Sequence, residues 1–149
     1  MIRHATAADI PHIMTLERAS STAGHWTEQQ YQQLFGSRFD GPQRLVLVAE
    51  TSRVVLGFLI AQHVAPEWEL ENIVVADADR RKGLGKQLLD ALLVRARETN
   101  SDAVFLEVRE SNASARALYE SAGFEGSGRR KSYYGAPQED AILYRQSLH

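Results

Sequence analysis

The segment 80–86 combines residue types that bind phosphate groups. Its sequence is Arg-Arg-Lys-Gly-Leu-Gly-Lys, and it lies between a strand-like stretch and an amphipathic helical stretch. The start of a helix has about four backbone N–H groups without internal partners and a partial positive charge, so it attracts anions. Gly83 and Gly85 allow a close approach to the backbone because they have no Cβ atom. The basic side chains add positive charge at the same place: Arg81, Lys82 and Lys86. The segment is therefore predicted to bind an anion.

Two common phosphate-binding motifs do not fit this segment. A nucleoside-triphosphate loop ending at 85–86 would need glycine at position 80 and serine or threonine at position 87, where the chain has Arg80 and Gln87. A dinucleotide-binding fingerprint would need glycine at position 88, where the chain has Leu88. On the local sequence alone, a capped helix with a basic first turn and no ligand remains an equal alternative.

The composition restricts the classes of function. The chain has 149 residues, of which 44% are apolar and 24% charged, as in an ordinary globular protein. Its net charge of −2 gives no electrostatic footprint for nucleic acid. The absence of cysteine excludes disulfides and thiolate ligands, and the histidines lack ligand spacing, so no metal site is expected. No stretch has the length or apolarity of a signal peptide or a membrane span, which predicts a cytoplasmic protein without membrane partners.

Two helices are predicted near the start of the chain. Thr6 followed by Asp9 is typical of a helix start, and an apolar face follows it: Ile10, Ile13, Met14 and Leu16. Thr27 and Gln30 have the spacing of a capping box and predict a short helix that continues to Phe35.

Strands and helices alternate along the rest of the chain. The β-branched stretches 44–50 and 54–64 predict an antiparallel pair, with a turn at 51–53. Further strands are predicted at 70–75 and 103–108, with a hairpin-like pair at 133–134 and 141–144. Helices are predicted at 83–99 and at 112–122, where Gly123 ends the second. This order predicts an α/β fold with a mixed sheet and helices on its faces, in one domain spanning residues 1–149.

Three motifs resemble those of the GNAT superfamily of N-acetyltransferases. Arg80-x-x-Gly83-x-Gly85, which follows Asn72-Ile73-Val74-Val75 along the chain, resembles the acyl-CoA signature of that superfamily. The block LEVRESNASARALYESAGF at 106–124, followed by RRKSYY and EDAIL, is similar to the ribosomal-protein alanine N-acetyltransferases, the RimI-like branch. The segment 25–28 is similar to a Pro-Trp-Ser-Glu segment of that branch, with histidine in place of proline. The resemblance covers the chain from about Glu67 to its end.

The resemblance implies a fold and a donor site. The fold would be a mostly antiparallel sheet with a splayed central parallel pair, and acetyl-CoA would be the co-substrate. Strand backbone at Ile73, Val74 and Val75 would meet the pantetheine and the acetyl carbonyl. The residues that would hold the pyrophosphate are Arg81, Lys82, Gly83, Leu84, Gly85 and Lys86, and Asn112 would reach the pantetheine arm. Because a ligand would engage their backbone, Val74 and Val75 are expected where two strands separate.

Two carboxylates are candidates for the general base that deprotonates the accepting amine. An α-amine has a pKa of about 7.7–8.0 and a lysine about 10.4, so a protein N-terminus loses its proton more readily. The resemblance to the RimI-like branch places the base at Glu107. Strand alternation puts Glu107 on one face with Phe105 and Arg109. Glu69 is the alternative, since histone-type members of the superfamily have a glutamate at about that place.

The resemblance also assigns a general acid and an acceptor entrance. Tyr119 follows Asn112 by seven residues, which places both on one helix face, and its phenol would lie near the CoA sulfur. A buried tyrosine with a structural role is the alternative. Tyr133 and Tyr134 would line the acceptor entrance, and Trp26 would help form the peptide groove. The run 129–131 could steer an acidic group, although a solvated charge run is the more ordinary interpretation.

The expected reaction is direct acetyl transfer to the N-terminal amine of a protein, with a ribosomal protein as one candidate acceptor. Two other functions remain open. A small-molecule N-acetyltransferase acting on an amine, polyamine or antibiotic would use the same donor half, and a non-catalytic acyl-CoA sensor would bind without turnover. Glu71 stands where the branch favours an apolar residue, and the front segment, which shapes acceptor specificity, is the part of the chain that matches the branch least.

Overall fold

A seven-stranded sheet forms the centre of the structure, a computed structural model that describes residues 1–20, 26–35, 43–79, 82–135 and 138–149. The strands lie in the order β1-β2-β3-β4-β5-β7-β6. All neighbours pair antiparallel except β4 and β5, which are parallel. The strands are β1 (Ile2–His4), β2 (Arg44–Thr51), β3 (Val54–Val64), β4 (Glu67–Val75), β5 (Ala103–Arg109), β6 (Glu125–Gly135) and β7 (Gln138–Ser147). The predicted mixed α/β sheet, mostly antiparallel with one parallel pair, is confirmed.

Helices pack on both faces of the sheet. They are α1 (Ile10–Ala19), α2 (Glu28–Gln33), α3 (Leu84–Glu98) and α4 (Ala113–Ser121). One core cluster joins the α3 side to the sheet through buried leucines such as Leu88 and Leu92. The other joins α1 and α2 to the opposite face through Ile13, Tyr31 and Phe58. The two clusters define two separate surfaces of one sheet.

The central parallel pair separates after three residues. Glu67–Glu69 of β4 pair with Ala103–Phe105 of β5, and within the described chain the ladder stops there. A bulge in β4 lies at this point, because Ala61 of β3 pairs with Leu70 whereas the preceding Ile60 pairs with Asn72. A bulge bends its strand and increases the local twist. The bend accompanies the opening of a gap between the two strands, as the resemblance implied.

The bulge also exchanges the two sides of β4. Trp68 and Leu70 belong to the cluster on the α3 side, whereas Val74 belongs to the cluster on the α1 side. Side chains two residues apart in a regular strand share a face, so an extra residue is needed for this exchange. Glu71 is that residue.

Two strands are longer than the sequence predicted. β4 begins at Glu67 instead of position 70, and β6 begins at Glu125 instead of position 133. Residues 125–133 are all exposed, so they lack the apolar alternation that identifies a strand, and backbone bonds to β7 hold them in the sheet. β1 was not predicted, since it has only three residues. A short 3-10 turn, Asp77–Asp79, interrupts the predicted loop after β4.

Candidate active site

A cleft of about 980 Å³ occupies the gap between β4 and β5. The β4 edge from Leu70 to Val75 forms one wall, and β5 from Leu106 to Arg109 forms the other. The first turn of α3 and the exposed side of α4 close the cleft on one face of the sheet. The splayed strands therefore create the cavity, and the helix starts complete it.

The first turn of α3 offers backbone donors to the cleft. Gly83 is the N-cap, with φ of +80°, a conformation that favours glycine. The first helical hydrogen bond runs from the Gln87 N–H to the Gly83 carbonyl, at 3.0 Å. The intervening N–H groups, at 84–86, precede any internal helical partner and lie in the cleft wall. The helix start that the glycine segment predicted is therefore present at the cleft, and the binding of an anion there stays a prediction.

The basic side chains of this segment have acidic neighbours. The Lys82 Nζ lies 3.2 Å from an Asp79 carboxylate oxygen, and the Lys86 Nζ lies 3.5 Å from Asp90. Both lysines are more than half exposed, so these pairs are weak and their cations can turn to a ligand. Arg81, the third predicted contact, lies outside the described residues, as does His25 of the peptide-groove motif.

A close contact joins α3 to α4 across the cleft. A Cβ atom at Gly85 would lie 3.0 Å from the Leu118 Cδ2 atom, so glycine allows α4 to approach the first turn of α3. Asn112 is the N-cap of α4, and its side-chain oxygen accepts a hydrogen bond from the Ala115 N–H at 3.2 Å. Asn112 also lines the cleft, as predicted, but its oxygen serves the cap.

Tyr119 places a protonated phenol in the cleft wall. Its side chain is 6% exposed and packs against the rings of Phe124 and Tyr144. Burial raises the pKa of Tyr119 well above its ordinary value, with a smaller contribution from Tyr134. Within the described chain no side chain or backbone group hydrogen-bonds the Tyr119 hydroxyl, although the residue lines the cleft. A phenol that belongs to the cleft wall is able to donate a hydrogen bond to a ligand there.

Glu107 lies on the other face of the sheet. Its neighbours Leu106 and Val108 point into the core cluster on the α3 side, so alternation directs Glu107 away from it. The Glu107 side chain is only 17% exposed, and its carboxylate lies 3.0 Å from the Arg130 Nε atom. Glu107 lines the cleft.

Tyr134 shares this face with Glu107. The guanidinium carbon of Arg109 lies 4.3 Å from the centre of the Tyr134 ring. Burial first, and then the charge of Glu107, raise the pKa of Tyr134. Tyr133 packs edge-on against Tyr134, with ring centres 5.2 Å apart, and is 52% exposed. Of these two predicted acceptor contacts, Tyr134 is among the residues that line the cleft and Tyr133 is not.

Glu69 and Trp26 are not among the residues that line the cleft. The Glu69 carboxylate accepts a hydrogen bond from the Gln62 Nε2 atom at 2.7 Å, in the paired part of β4. Trp26 packs on Tyr31 and on the Arg44 guanidinium, whose carbon lies 5.5 Å from the ring centre. The structure thus brings Glu107, rather than Glu69, to the cavity.

Sequence reasoning missed two ion pairs at the cleft. Glu71, at the bulge, lines the cleft and lies 2.9 Å from the Arg44 Nε atom. Glu107 pairs with Arg130, which the sequence placed in a solvated charge run. The departure from the family pattern at Glu71 was a usable signal, whereas the partner of Glu107 depends on strand register and left no signal in the sequence.

Neither a membrane span nor a metal cluster is found in the described segments. No described helix has both the length and the apolar character needed to cross a membrane. No group of three or more histidine and carboxylate side chains within the described ranges is arranged to hold a metal ion.

Known proteins are similar to this chain in sequence and in fold. Residues 10–124 match the acetyltransferase (GNAT) family, and the chain belongs to this family. The predicted class of enzyme, an N-acetyltransferase, is confirmed by this membership.

Relatives agree with the predicted branch. The [ribosomal protein bS18]-alanine N-acetyltransferase of Salmonella typhimurium is 36% identical over 140 residues, which cover 93% of this chain and 90% of that protein. The crystal structure of the ribosomal-protein-S18-alanine N-acetyltransferase from Escherichia coli is 32% identical, with a TM-score of 0.83 over 99% of this chain and 93% of that one. Arabidopsis thaliana NAA60 in complex with acetyl-CoA shares the fold at 15% identity, with a TM-score of 0.86 over 99% and 98% of the two chains.

Proposed function

We propose that this protein transfers the acetyl group of acetyl-CoA directly to the N-terminal α-amine of a protein, with a ribosomal protein that begins with alanine as the first candidate. The observation that carries the proposal is the gap in the sheet, which exposes Glu107 and Tyr119 to one cleft from opposite faces. The sequence likeness to the alanine N-acetyltransferases supports the choice of acceptor.

The donor half lies on the α3 and α4 side of the gap. The N–H groups at 84–86, helped by Lys82, Lys86 and Arg81, would hold the pyrophosphate of acetyl-CoA. Gly83 and Gly85 leave room for it because neither adds a side chain to the cradle. The β4 edge at 73–75 would lie along the pantetheine and orient the acetyl carbonyl, whose polarisation by strand amides stabilises the tetrahedral intermediate.

The acceptor half lies on the other face. Glu107 would take the proton of the amine through one water molecule, and the amine nitrogen would then attack the acetyl carbon. The new N–C bond gives the tetrahedral intermediate; as its C–S bond breaks, Tyr119 gives its proton to the departing thiolate. The second proton that the nitrogen loses in becoming an amide would return to the Tyr119 phenolate through water. Tyr134 would contact the acceptor beside Glu107. The raised pKa of Tyr119 keeps the phenol protonated for this step at neutral pH.

Turnover against a panel of acceptors tests the function. Thiol release from acetyl-CoA is measured with peptides that begin with alanine, serine or glutamate, and with small amines and polyamines. The alanine or serine peptides are expected to be the best acceptors. Turnover only on small amines would identify a small-molecule acetyltransferase instead. Tight CoA binding without turnover on any amine would leave two explanations, an acceptor outside the panel or an acyl-CoA sensor.

A further inference from the structure

The ion pair between Glu107 and Arg130 joins a mostly buried carboxylate to a mostly exposed cation. The Arg130 side chain is 55% exposed, against 17% for Glu107, and the two groups are 3.0 Å apart. A guanidinium so exposed can leave without being desolvated or repacked. Glu107, by contrast, is fixed in the cleft wall on β5, between two core residues.

A bulge in β6 places Arg130 at this position. Arg130 pairs with Ala141, but the next paired residue of β6 is Tyr134, opposite Glu139. Residues 131–133 lie opposite Asp140 alone, so β6 has two more residues here than β7, and Ser132 has a φ of +53°. The Asp140 carboxylate accepts a hydrogen bond from the Ser132 N–H at 2.8 Å, which fixes the bulge. Arg130 therefore lies directly before a fixed bulge, next to the face of the sheet that carries Glu107.

The neighbouring arginines have carboxylate partners that lie outside the proposed reaction. Arg109 pairs with Glu139 at 3.3 Å. Arg129 pairs with Glu110 and with Asp140. Within the described ranges, the carboxylate that pairs with Arg130 is the proposed general base itself. The guanidinium carbon of Arg130 also lies 5.3 Å from the centre of the Tyr133 ring.

We infer that Arg130 stands in for the ammonium group of the acceptor in the acceptor-free protein, so that acceptor binding exchanges one cation for another at Glu107. The inference rests on the proposed function, because it takes Glu107 as the base that receives an amine. An α-amine with a pKa of about 7.7–8.0 is largely an ammonium ion at pH 7. Both this cation and the Arg130 guanidinium would therefore bind the Glu107 carboxylate. After the exchange, Arg130 retains its contact with Tyr133 and solvent. Arg130 thus competes with the ammonium group of every acceptor for Glu107 and keeps Glu107 paired between turnovers.

The exchange predicts a particular division between KM and kcat. In the complex with acceptor the Arg130–Glu107 pair is already broken, so its removal leaves kcat unchanged. The KM for the acceptor should fall about two- to five-fold in Arg130→Gln, the range expected for a partly exposed ion pair. Arg130→Lys keeps a competing cation and should stay near wild type. If Arg130 instead oriented Glu107 for catalysis, kcat would fall in Arg130→Gln.

A ligand pair isolates the role of the ammonium group. Binding to CoA-saturated protein is measured by calorimetry for an alanine-starting peptide and for the same peptide with propionyl in place of alanyl, which lacks only the amine. Arg130→Gln should tighten binding of the amine peptide about two- to five-fold and leave the propionyl peptide unchanged. Arg145→Gln, which removes an arginine from an ion pair with Glu67 at 3.6 Å, is the matched control and should change neither.

The outcomes separate this inference from the proposed function. An acceptor KM that is unchanged or higher in Arg130→Gln, with normal wild-type turnover on peptides, overturns the inference alone. Equal tightening of both peptides also overturns it, because the ammonium group would then not be the competing ligand. Absence of wild-type turnover on every peptide would overturn the proposed function instead. Thermal unfolding of each variant identifies any loss of folded protein.

Discussion

Glu107 and Tyr119 reach one cleft from opposite faces of the sheet. Tyr119 packs in the same core cluster as Leu106 and Val108, and Glu107 alternates with these two residues. A continuous sheet would keep the two groups apart. The early end of the β4–β5 ladder, at Glu69 and Phe105, leaves a passage between the faces. An acetyl donor bound on the Tyr119 side and an accepting amine bound on the Glu107 side can therefore meet in the gap between the strands.

Removal of the proposed base should abolish most of the activity. Glu107→Gln keeps the size of the side chain but cannot accept a proton, so kcat/KM for the best peptide should fall about 100-fold or more. Glu69→Gln is the matched control, because Glu69 is hydrogen-bonded to Gln62 outside the cleft lining. It should stay near wild type in the same steady-state assay. A large loss in Glu69→Gln with little in Glu107→Gln would assign the base to Glu69.

Removal of the Tyr119 hydroxyl should slow the reaction without weakening donor binding. Tyr119→Phe is expected to lower kcat about 10- to 100-fold, the low end for a general acid, since a thiolate leaves more readily than an alkoxide. The dissociation constant of acetyl-CoA, measured by calorimetry, should not change. A purely structural role for Tyr119 would leave kcat intact and lower the melting temperature instead.

The pH dependence provides a second measurement on Tyr119. A free tyrosine ionises near pH 10, and burial raises the pKa of Tyr119 above that value. The wild-type kcat should therefore show no loss from ionisation of this phenol as pH rises to about 10. A basic limb in kcat below pH 9 that disappears in Tyr119→Phe would contradict the raised pKa.

Gly83 should tolerate asparagine better than alanine. Its φ of +80° is costly for residues with a Cβ atom, although nothing lies within 4 Å of where that atom would be. Gly83→Ala should therefore lose about 1 kcal/mol of unfolding free energy and raise the KM for acetyl-CoA as the first turn of α3 shifts. Gly83→Asn should lose less, because asparagine adopts this conformation more readily. Urea unfolding and steady-state kinetics give the two quantities, and equal losses in both variants would exclude backbone strain as the cause.

Local chemistry made much of the fold predictable. The Thr27–Gln30 capping box is present, with the Gln30 N–H donating to the Thr27 hydroxyl at 3.2 Å. The leucine stripe of α3 is buried as its period indicates. Such features depend on residues a few positions apart, so a sequence reveals them directly. β6 was mostly missed because its pairing to β7 depends on backbone bonds, which leave no side-chain pattern on an exposed edge.

The site was predictable up to the point where strand register matters. The glycine turn at 83–85 and Tyr119 were predicted from single elements and from the family resemblance, and both line the cleft. Alternation predicted the face of Glu107, and the roles of these residues in binding and catalysis stay predictions. Which of the two glutamates reaches the cleft depends on where the β4–β5 ladder ends. The Arg130 pairing depends on a bulge 23 residues further along the chain. Both are long-range properties of the sheet, and no local pattern encodes them.

The ion pair between Arg3 and Asp9 should make the free energy of unfolding depend on pH in the acidic range. Both Asp9 oxygens accept from the Arg3 guanidinium at 2.9 Å, and one also accepts from the Thr6 N–H at 2.8 Å. The Arg3 hydrogen bond, above all, lowers the pKa of Asp9 below its ordinary value. The resulting stability is fully present above the unfolded-state pKa of about 3.9 and is lost as pH falls through the lower folded-state value.

Asp9→Asn tests this dependence. Asparagine cannot supply two acceptor oxygens to Arg3, so the variant should lose about 2 kcal/mol of unfolding free energy at pH 7, as for hydrogen bonds to a charged group. Below pH 4 the gap between the two proteins should narrow, because wild-type Asp9 becomes protonated and loses the same interaction. Urea midpoints at pH 7, 5, 4 and 3 measure the gap. Asp90→Asn, at an exposed pair, is the control. A gap that stays constant down to pH 3, or that widens, would show that the carboxylate charge is not what joins β1 to the start of α1.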